Sequence, residues 1–307
     1  MKKIYIIHEN DEWTSPLEEE LIKLNAPYEK WHMNFNLIDT NQSPPLGVFY
    51  NRMSASSHTR GHRYAPEYTS IILDWLEYHK RKVVNGSRAL NLEISKSLQY
   101  KELKNEGIKI PKTFFAKGKK QLLNLSKNFE RPFITKHNRA GKGLGIKLFD
   151  DLQKFEKHVN SSYFEDSIDG ITILQDYIKP KNNCIIRTEF IDKKFLYAVQ
   201  VDASDGFELC PADDCDPEVE FCPTNSSGNK FMILENFSNN ILNNYKRVLQ
   251  NNNIDIAGIE FLQDSEGELF TYDINTNTNY NSVAESLSSH NGMKRIANYL
   301  YSELIKL

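Results

Sequence analysis

The sequence has few cysteines and little net charge. Only four of its 307 residues are cysteines, and a chain of this length can bury a core without cross-links, so we expect reduced thiols. Cys210, Cys215 and Cys222 fit no CxxC spacing, which favours structural or pocket-lining thiols over a zinc site. The 38 basic and 41 acidic residues leave a charge of −3. This balance gives no electrostatic reason to expect a nucleic-acid or membrane partner, and a small-molecule substrate is favoured.

A long hydrophobic run is also missing at the N-terminus. MKKIYIIHE has two lysines followed by only four apolar residues, far fewer than a signal peptide or the roughly 20 residues of a bilayer-spanning helix. We therefore expect a cytoplasmic protein.

The apolar pattern predicts an α/β protein with three parts. KKIYIIHE and LGVFYNRMS are typical of buried strands and PEYTSIILDWLEYHKR of an amphipathic helix, so 1–90 is expected to form a small α/β lobe. A helix that starts at Asn91 and stops at Gly107 opens a central part, 91–170. Five strand-like runs and one clear helix follow in 171–307.

A glycine-rich segment joins two short predicted strands at 132–136 and 145–149. In Ala140-Gly141-Lys142-Gly143-Leu144-Gly145, backbone amides can approach an anion such as phosphate closely. The segment is neither a Walker loop nor a dinucleotide fingerprint, since both open a helix, and a tight hairpin alone also requires glycines. Lys136, at the end of the first strand, and Lys96, on the preceding helix, are candidate phosphate ligands, although single lysines are usually solvated.

The most informative pattern is IAGIEFLQDSEGELFTYDIN, which predicts two strands joined by a turn at 264–267. The hairpin would place Glu260 beside Asp273, and the period of two would put Asn275 on the same face. Two carboxylates and an amide oxygen suit magnesium, which takes its remaining ligands from water and phosphates. A solvated sheet face is the alternative reading, but the polar run after Asn275 favours a lined site.

Together these features resemble the ATP-grasp superfamily, in its glutamate-ligase-like (RimK-type) branch of carboxylate–amine ligases. The resemblance covers about residues 90–307. It implies an α/β ATP-grasp fold in which 1–90 is a substrate-side lobe, 91–170 carries the glycine-rich loop and 171–307 carries the metal site.

The resemblance also implies roles for single residues. Arg187, in CIIR, corresponds to the family arginine that steadies the transferring phosphate. Metal binding is implied for Glu260, Asp273 and Asn275. ATP binding is implied for Lys96, Lys136, Gly141, Gly143, Gly145, Gln175, Asp176, Tyr177 and Ile178. The implied cofactors are ATP and magnesium, with two ions expected and manganese as an alternative.

The implied reaction is phosphorylation of a carboxylate by ATP, followed by attack of an amine on the acyl phosphate, giving ADP and phosphate. The expected partners are a small-molecule or peptide carboxylate and an amine or amino acid, and a homo-oligomer is compatible with the sequence. An ATP-grasp kinase of a small molecule and a non-catalytic nucleotide-binding protein are the alternatives. Ile185 replaces an acidic residue that relatives often have, a departure that concerns the ribose contact. The Arg-x-Asn element that relatives often carry is replaced by FELCPADDCDPEVEFCP, so the acyl-acceptor side is expected to differ.

A basic stretch ends the second predicted strand. NRMSASSHTRGHRYAPE contains Arg52, Arg60, His62 and Arg63, and guanidinium groups pair well with carboxylates. We expect a clamp for the substrate carboxylate that faces the ATP site, with an exposed basic loop as the alternative. His62 is also a candidate base for the amine.

Overall fold

The computed structural model describes residues 2–130, 132–141, 143–204, 206 and 230–307. Lys142 and the three cysteines Cys210, Cys215 and Cys222 lie outside the described residues. Cys184 is a free, partly buried thiol. Within the described ranges, none of the helices has the length and apolar character needed to cross a membrane.

The N-terminal lobe is a four-stranded parallel sheet with helices packed on it. Its strands are β1 (Lys3–His8), β2 (Tyr28–His32), β3 (Gly47–Asn51) and β4 (Lys82–Val84), in the order β2-β1-β3-β4. The connecting helices are α1 (Asp11–Lys23) and α2 (Ala65–Tyr78). Strands β1 and β3 are almost wholly buried, as parallel strands covered on both faces should be. The sequence analysis missed β2, whose YEKWH mixes charged and aromatic residues at the sheet edge.

The single helix predicted from Asn91 to Gly107 is wrong, because the chain forms two helices there. They are α3 (Ser87–Glu93) and α4 (Lys96–Asn105). Ser95 interrupts them with extended backbone, φ −145° and ψ 100°, and is the N-cap of α4. Lys96 therefore becomes the first residue of a helix, with its backbone N–H donating to the Asn138 carbonyl at 3.3 Å.

The central sheet is antiparallel and holds the glycine-rich segment. Its strands are β5 (Thr113–Lys117), β6 (Phe133–His137), β7 (Lys147–Phe149) and β8 (Ile171–Asp176), in the order β5-β8-β6-β7. Two helices, α5 (Gly118–Leu125) and α6 (Leu152–Asn160), cover one face through a core rich in phenylalanine. The β6–β7 hairpin confirms the predicted strand pair around the glycines.

The C-terminal sheet is a second antiparallel sheet. It contains β9 (Cys184–Ile191), β10 (Lys194–Asp202), β11 (Phe231–Leu234), β12 (Ile256–Gln263) and β13 (Leu269–Asn275), in the order β11-β10-β9-β12-β13. The helices are α7 (Ile241–Asn251), α8 (Ser282–Ser286) and α9 (Gly292–Lys306). The five predicted strand runs of 171–307 are all strands, but the first of them is β8 of the central sheet, and β11 was not predicted. Helix α7 precedes β12 as expected.

Asn85 joins the N-terminal lobe to the C-terminal sheet. Its backbone has a φ of 56°, and its buried Oδ1 accepts hydrogen bonds from the amides of Asp255 and Ile256. Its Nδ2 donates to the carbonyls of Ile256 and Thr276. This link fixes the start of β12 and the end of β13 relative to the first lobe. Helix α3 contacts both α2 of the first lobe and β13 of the C-terminal sheet, so these contacts do not assign it to one lobe. The lobe boundaries 1–90, 91–170 and 171–307 therefore stay predictions.

Candidate active site

A cavity of about 400 Å³ lies between the central and C-terminal sheets, a volume usual for small-molecule sites. The start of α4, the β6–β7 connection, the end of β8 and the β12–β13 hairpin form its walls. The N-terminal lobe contributes Trp13, Ser54 and Ser56 to one end. Most predicted site residues line the cavity, namely Lys96, Lys136, Gly141, Gly143, Gln175, Asp176, Tyr177, Ile178, Arg187, Glu260, Asp273 and Asn275.

The acidic pair forms the floor of this cavity. Glu260 on β12 and Asp273 on β13 are directly opposite each other in the antiparallel register. The Nδ2 of Asn275 donates to Glu260 Oε1 at 3.2 Å. The predicted hairpin and the shared face of the three side chains are therefore both present.

Each of the two carboxylates has a cationic neighbour. Lys96 Nζ lies 2.5 Å from Asp273 Oδ1, and Arg187 Nη1 lies 3.0 Å from Glu260 Oε1. Burial raises the pKa of Glu260, while Arg187 opposes that shift. In the described part of the chain, no group of three or more His, Cys, Asp or Glu side chains could hold a metal ion. A metal on this hairpin would thus need phosphate or water ligands as well.

Lys136 is a buried lysine that forms no ion pair with any carboxylate in the part of the chain that the structure describes. It is 4% exposed, and its Nζ lies 5.2 Å from the ring centroid of Tyr100 and 5.8 Å from that of Tyr272. Burial first, and then the charge of Lys96, lower the pKa of Lys136 to about 7. Asp273 and Glu260 oppose this shift. A buried ammonium without an ion-pair partner among the described residues is costly, so this position is suited to an anionic ligand.

Arg187 is fixed on all sides of its guanidinium. Its Nε donates to Glu189 Oε1 at 2.5 Å and its Nη2 to Thr278 Oγ1 at 2.6 Å, in addition to the Glu260 bond. Gly258 lies beneath it, and a Cβ there would be 2.6 Å from Nη2. The glycine is therefore required for the close approach of the guanidinium to the β12 backbone.

The glycines of the β6–β7 connection differ in their surroundings. Gly143 and Gly145 both have φ of 73°, in the left-handed region. Gly145 is absent from the cavity wall, and a Cβ on it would collide with the His137 ring. Gly145 is therefore a glycine that the tight hairpin itself requires, whereas Gly141 and Gly143 face the cavity.

The opposite end of the cavity has apolar walls beside the end of β8. Its apolar residues are Ile134, Leu148, Ile178, Ile185 and Leu262. The N–H groups of Asp176 and Tyr177 already donate to the carbonyls of Lys112 and Pro132. The Gln175 side chain donates to Tyr100 and Thr113 and so stabilises the sheet. Burial raises the pKa of Asp176.

The predicted carboxylate clamp requires correction, because none of its four residues lines the cavity. Arg60 and His62 both contact Glu9, whose side chain is 1% exposed, at 2.5 and 2.9 Å. A buried carboxylate needs such partners, and sequence alone does not show that Glu9 is buried. Arg63 pairs with Glu67 and donates to the Ile168 carbonyl. Arg52 is buried behind the cavity wall.

The sequence analysis also missed residues at the N-terminal-lobe end of the cavity. These are Trp13, Ser54, Ser56, Glu93, Asn277 and Asn279. The period of two in Asn275, Asn277 and Asn279 is a signal that could have identified the two asparagines. Trp13, in the first turn of α1, and the two serines, in the segment after β3, are distant in sequence from the hairpin and carry no such signal.

The family model of the RimK-like ATP-grasp domain matches residues 94–208. Over these 115 of its 307 residues, the chain is similar to a RimK-like ATP-grasp domain. This confirms the family resemblance, although a comparison with curated proteins gives no significant match.

Solved ATP-grasp structures are similar over almost the whole chain. The ligase PsnB, complexed with minimal precursor, Mg and ADP, is 12% identical, with 98% of this chain and 97% of that chain covered and a TM-score of 0.66. A Chryseobacterium gregarium RiPP-associated ATP-grasp ligase, in complex with ADP and a leader and core peptide, is 16% identical (99% and 97% covered, TM-score 0.63). D-alanyl-alanine synthetase A from Vibrio cholerae is 12% identical (99% and 99%, TM-score 0.68). These similarities confirm the predicted ATP-grasp fold.

The residues of this ATP-grasp cavity fit magnesium-bound ATP. The apolar end suits a planar base, and the N–H of Ile178 donates to none of the described residues. Lys96, Lys136 and Arg187 could contact phosphate oxygens. The Glu260–Asp273 hairpin with Asn275 could hold magnesium between itself and the phosphates.

Proposed function

We propose that the protein is an ATP-dependent ligase that joins a carboxylate to an amine through an acyl phosphate. One observation carries the proposal. The paired carboxylates Glu260 and Asp273 share a cavity with three cations, of which Lys136 is buried and forms no ion pair with a described residue. This arrangement is suited to a polyphosphate that brings a divalent metal with it.

The chain's own residues would act by positioning and charge stabilisation. Magnesium, when bound, neutralises charge on the transferring phosphoryl group. Lys96 would turn from Asp273 to a phosphate oxygen as that carboxylate turns to the metal. If Glu260 turned to the metal as well, Arg187 would keep its hydrogen bonds to Glu189 and Thr278 and so stay in place. Two magnesium ions, or manganese in their place, are part of this proposal.

The chemical steps balance without a redox partner. A carboxylate oxygen of the acid attacks the γ-phosphorus of ATP, and ADP leaves. The amine nitrogen then attacks the acyl carbon, gives up a proton, and inorganic phosphate leaves as the amide bond forms. The names of the structural relatives, a peptide-bound ligase and a dipeptide synthetase among them, support peptides or amino acids as acid and amine.

ADP release by purified protein tests this proposal. The assay uses a panel of N-acetylated amino acids and peptides, whose own amines are blocked, supplied with and without free amines. We expect release only when an acid and an amine are both present, whereas a kinase would form a stable phosphorylated product from one acceptor.

Neutral variants of the hairpin test the metal assignment. Glu260→Gln and Asp273→Asn should lose at least about 100-fold in turnover, because each removes a carboxylate ligand of the magnesium that would neutralise charge on the phosphoryl group. Glu266→Gln is the matched control, since this exposed residue lies in the turn of the same hairpin. Normal turnover of either cavity variant would contradict the assignment.

A further inference from the structure

The chain that follows the acidic hairpin presents a row of asparagines to the cavity. Asn275, Asn277 and Asn279 are partly exposed, whereas Thr276 and Thr278 between them are buried. All three asparagines line the cavity. Asn275 belongs to the proposed metal site, and the other two have no role in the function proposed above.

Arg52 fixes the orientation of both side-chain amides. Its Nε donates to Asn277 Oδ1 at 3.2 Å, and its Nη2 donates to Asn279 Oδ1 at 2.7 Å. A guanidinium has donors only, so the amide atom that faces it must be oxygen. Neither Nδ2 group donates to another described residue. Both amides therefore keep an N–H donor pair available at the cavity wall.

Arg52 is itself a buried charge without a carboxylate partner in the described ranges. It is 2% exposed, and its other contacts are the Thr278 carbonyl, the Met293 sulfur and the Tyr50 ring. A buried, uncompensated positive charge is costly. It also polarises the two amides that accept its hydrogen bonds, which makes their Nδ2 groups stronger donors toward an anion.

One carboxylate, that of Glu93, also lines this end of the cavity. Its Oε2 accepts hydrogen bonds from the amides of Thr276 and Asn277 and from the Thr276 hydroxyl. Its Oε1 accepts from the Ala55 amide, and burial raises its pKa. These donors offset its charge, so it repels an incoming anion less than a solvated carboxylate would.

We propose that the Nδ2 groups of Asn277 and Asn279 bind the carboxylate of the acid substrate, and that Arg52 is the positioning residue behind them. The inference rests on the proposed ligase function. A carboxylate is favoured over a phosphate because Lys96 and Lys136, two of the three proposed phosphate-binding cations, belong to the α4 and β6 side. The third, Arg187, already donates to Glu189, Glu260 and Thr278. Ser54 and Ser56, of the N-terminal lobe, complete an end without a free cation among the described residues.

NMR of the full-length ¹⁵N-labelled protein, saturated with magnesium and AMPPNP, tests this site with acetate as the probe. We expect acetate to shift the side-chain NH₂ signals of Asn277 and Asn279, which are assigned by their loss in Asn277→Asp and Asn279→Asp. Acetamide and inorganic phosphate should shift neither. The acetate Kd should rise at least tenfold in both variants, because each replaces a donor with an anion. Asn298→Asp, on the exposed face of α9, adds the same charge elsewhere and should leave the Kd unchanged.

Variants of Arg52 test its positioning role. Arg52→Met should raise the acetate Kd about as much as the asparagine variants do. Arg52→Lys should raise it less, since lysine keeps the charge but not the paired donors. Loss of fold alone would not be rescued in this graded way, and the asparagine variants carry the test if Arg52→Met does not fold.

Two results would overturn the inference while magnesium–AMPPNP still binds. One is that acetate leaves both NH₂ signals unmoved, and the other is that phosphate moves them as strongly as acetate. Absence of AMPPNP binding would contradict the proposed function instead, so the two failures are distinguishable.

Discussion

Substitution of Gly258 by alanine should disable the site through Arg187. The new Cβ would lie 2.6 Å from Nη2, 2.7 Å from Nε and 2.8 Å from the central carbon of the guanidinium. Ordinary contact needs about 3.5 Å or more, so the guanidinium must move by roughly 1 Å. Its bonds to Glu189, Glu260 and Thr278 would then lengthen or break.

The magnitude follows from those three bonds. Hydrogen bonds to charged groups contribute about 1.5–3 kcal/mol each, and breaking a buried ion pair costs about 3–5 kcal/mol. We expect Gly258→Ala to lose about 3 kcal/mol of unfolding free energy. A displacement of about 1 Å in a positioning group should also lower turnover by about 100-fold. Urea unfolding and ADP release measure the two effects separately.

A double-mutant cycle with Arg187→Ala tests the cause. If the alanine methyl acts by displacing the guanidinium, Gly258→Ala should have little further effect once that guanidinium is gone. Additive losses in the double variant, or normal turnover of Gly258→Ala, would refute the reasoning.

Three further predictions concern buried polar residues. Burial first, and then His32, lower the pKa of His8 to about 4, below the usual value of about 6.5. Protonation of His8 thus favours the unfolded chain, and up to about 3 kcal/mol of unfolding free energy should be lost as pH falls from 6.5 to 4. Urea unfolding should show a smaller loss over this pH range for His8→Gln than for the unaltered protein. Equal losses in the two proteins would contradict the role of His8. Asn85→Ala should lower the free energy of unfolding by about 3–5 kcal/mol in the same assay, because four buried hydrogen bonds are lost and alanine is strained at that φ. Asn85→Gly should relieve the backbone strain but not restore the hydrogen bonds, so its loss should be smaller. Lys136→Met should weaken magnesium–AMPPNP binding at least tenfold in calorimetry. It should not lower the free energy of unfolding, since it removes a buried charge that forms no ion pair with a described residue. Lower stability with unchanged affinity would count against the assigned role of Lys136.

The sequence predicted the acidic hairpin because its determinants are local. Alternating apolar residues, a short turn and the period of two are enough to place Glu260 opposite Asp273. The β6–β7 pair around the glycines was predictable for the same reason. The break at Ser95 was not, because the apolar spacing continues across it and only the N-cap conformation separates the two helices.

Tertiary partners account for what sequence reasoning missed. Arg60 and His62 both bind the Glu9 carboxylate, and Glu9 lies more than 50 residues earlier in the chain. Arg52 was expected in the cavity but lies one layer behind it, bonded to asparagines more than 220 residues later. No local pattern reports which cation meets a distant buried carboxylate and which one stays near a ligand.

The most direct test of the ligase account is mass spectrometry of a cell extract incubated with the protein, ATP and magnesium, with the Glu260→Gln variant as the control. The account predicts a new species whose mass is that of an acid plus an amine less one water, together with equal amounts of ADP and phosphate, from the unaltered protein only. A product that has gained a phosphoryl group, or the same products from Glu260→Gln, would contradict it.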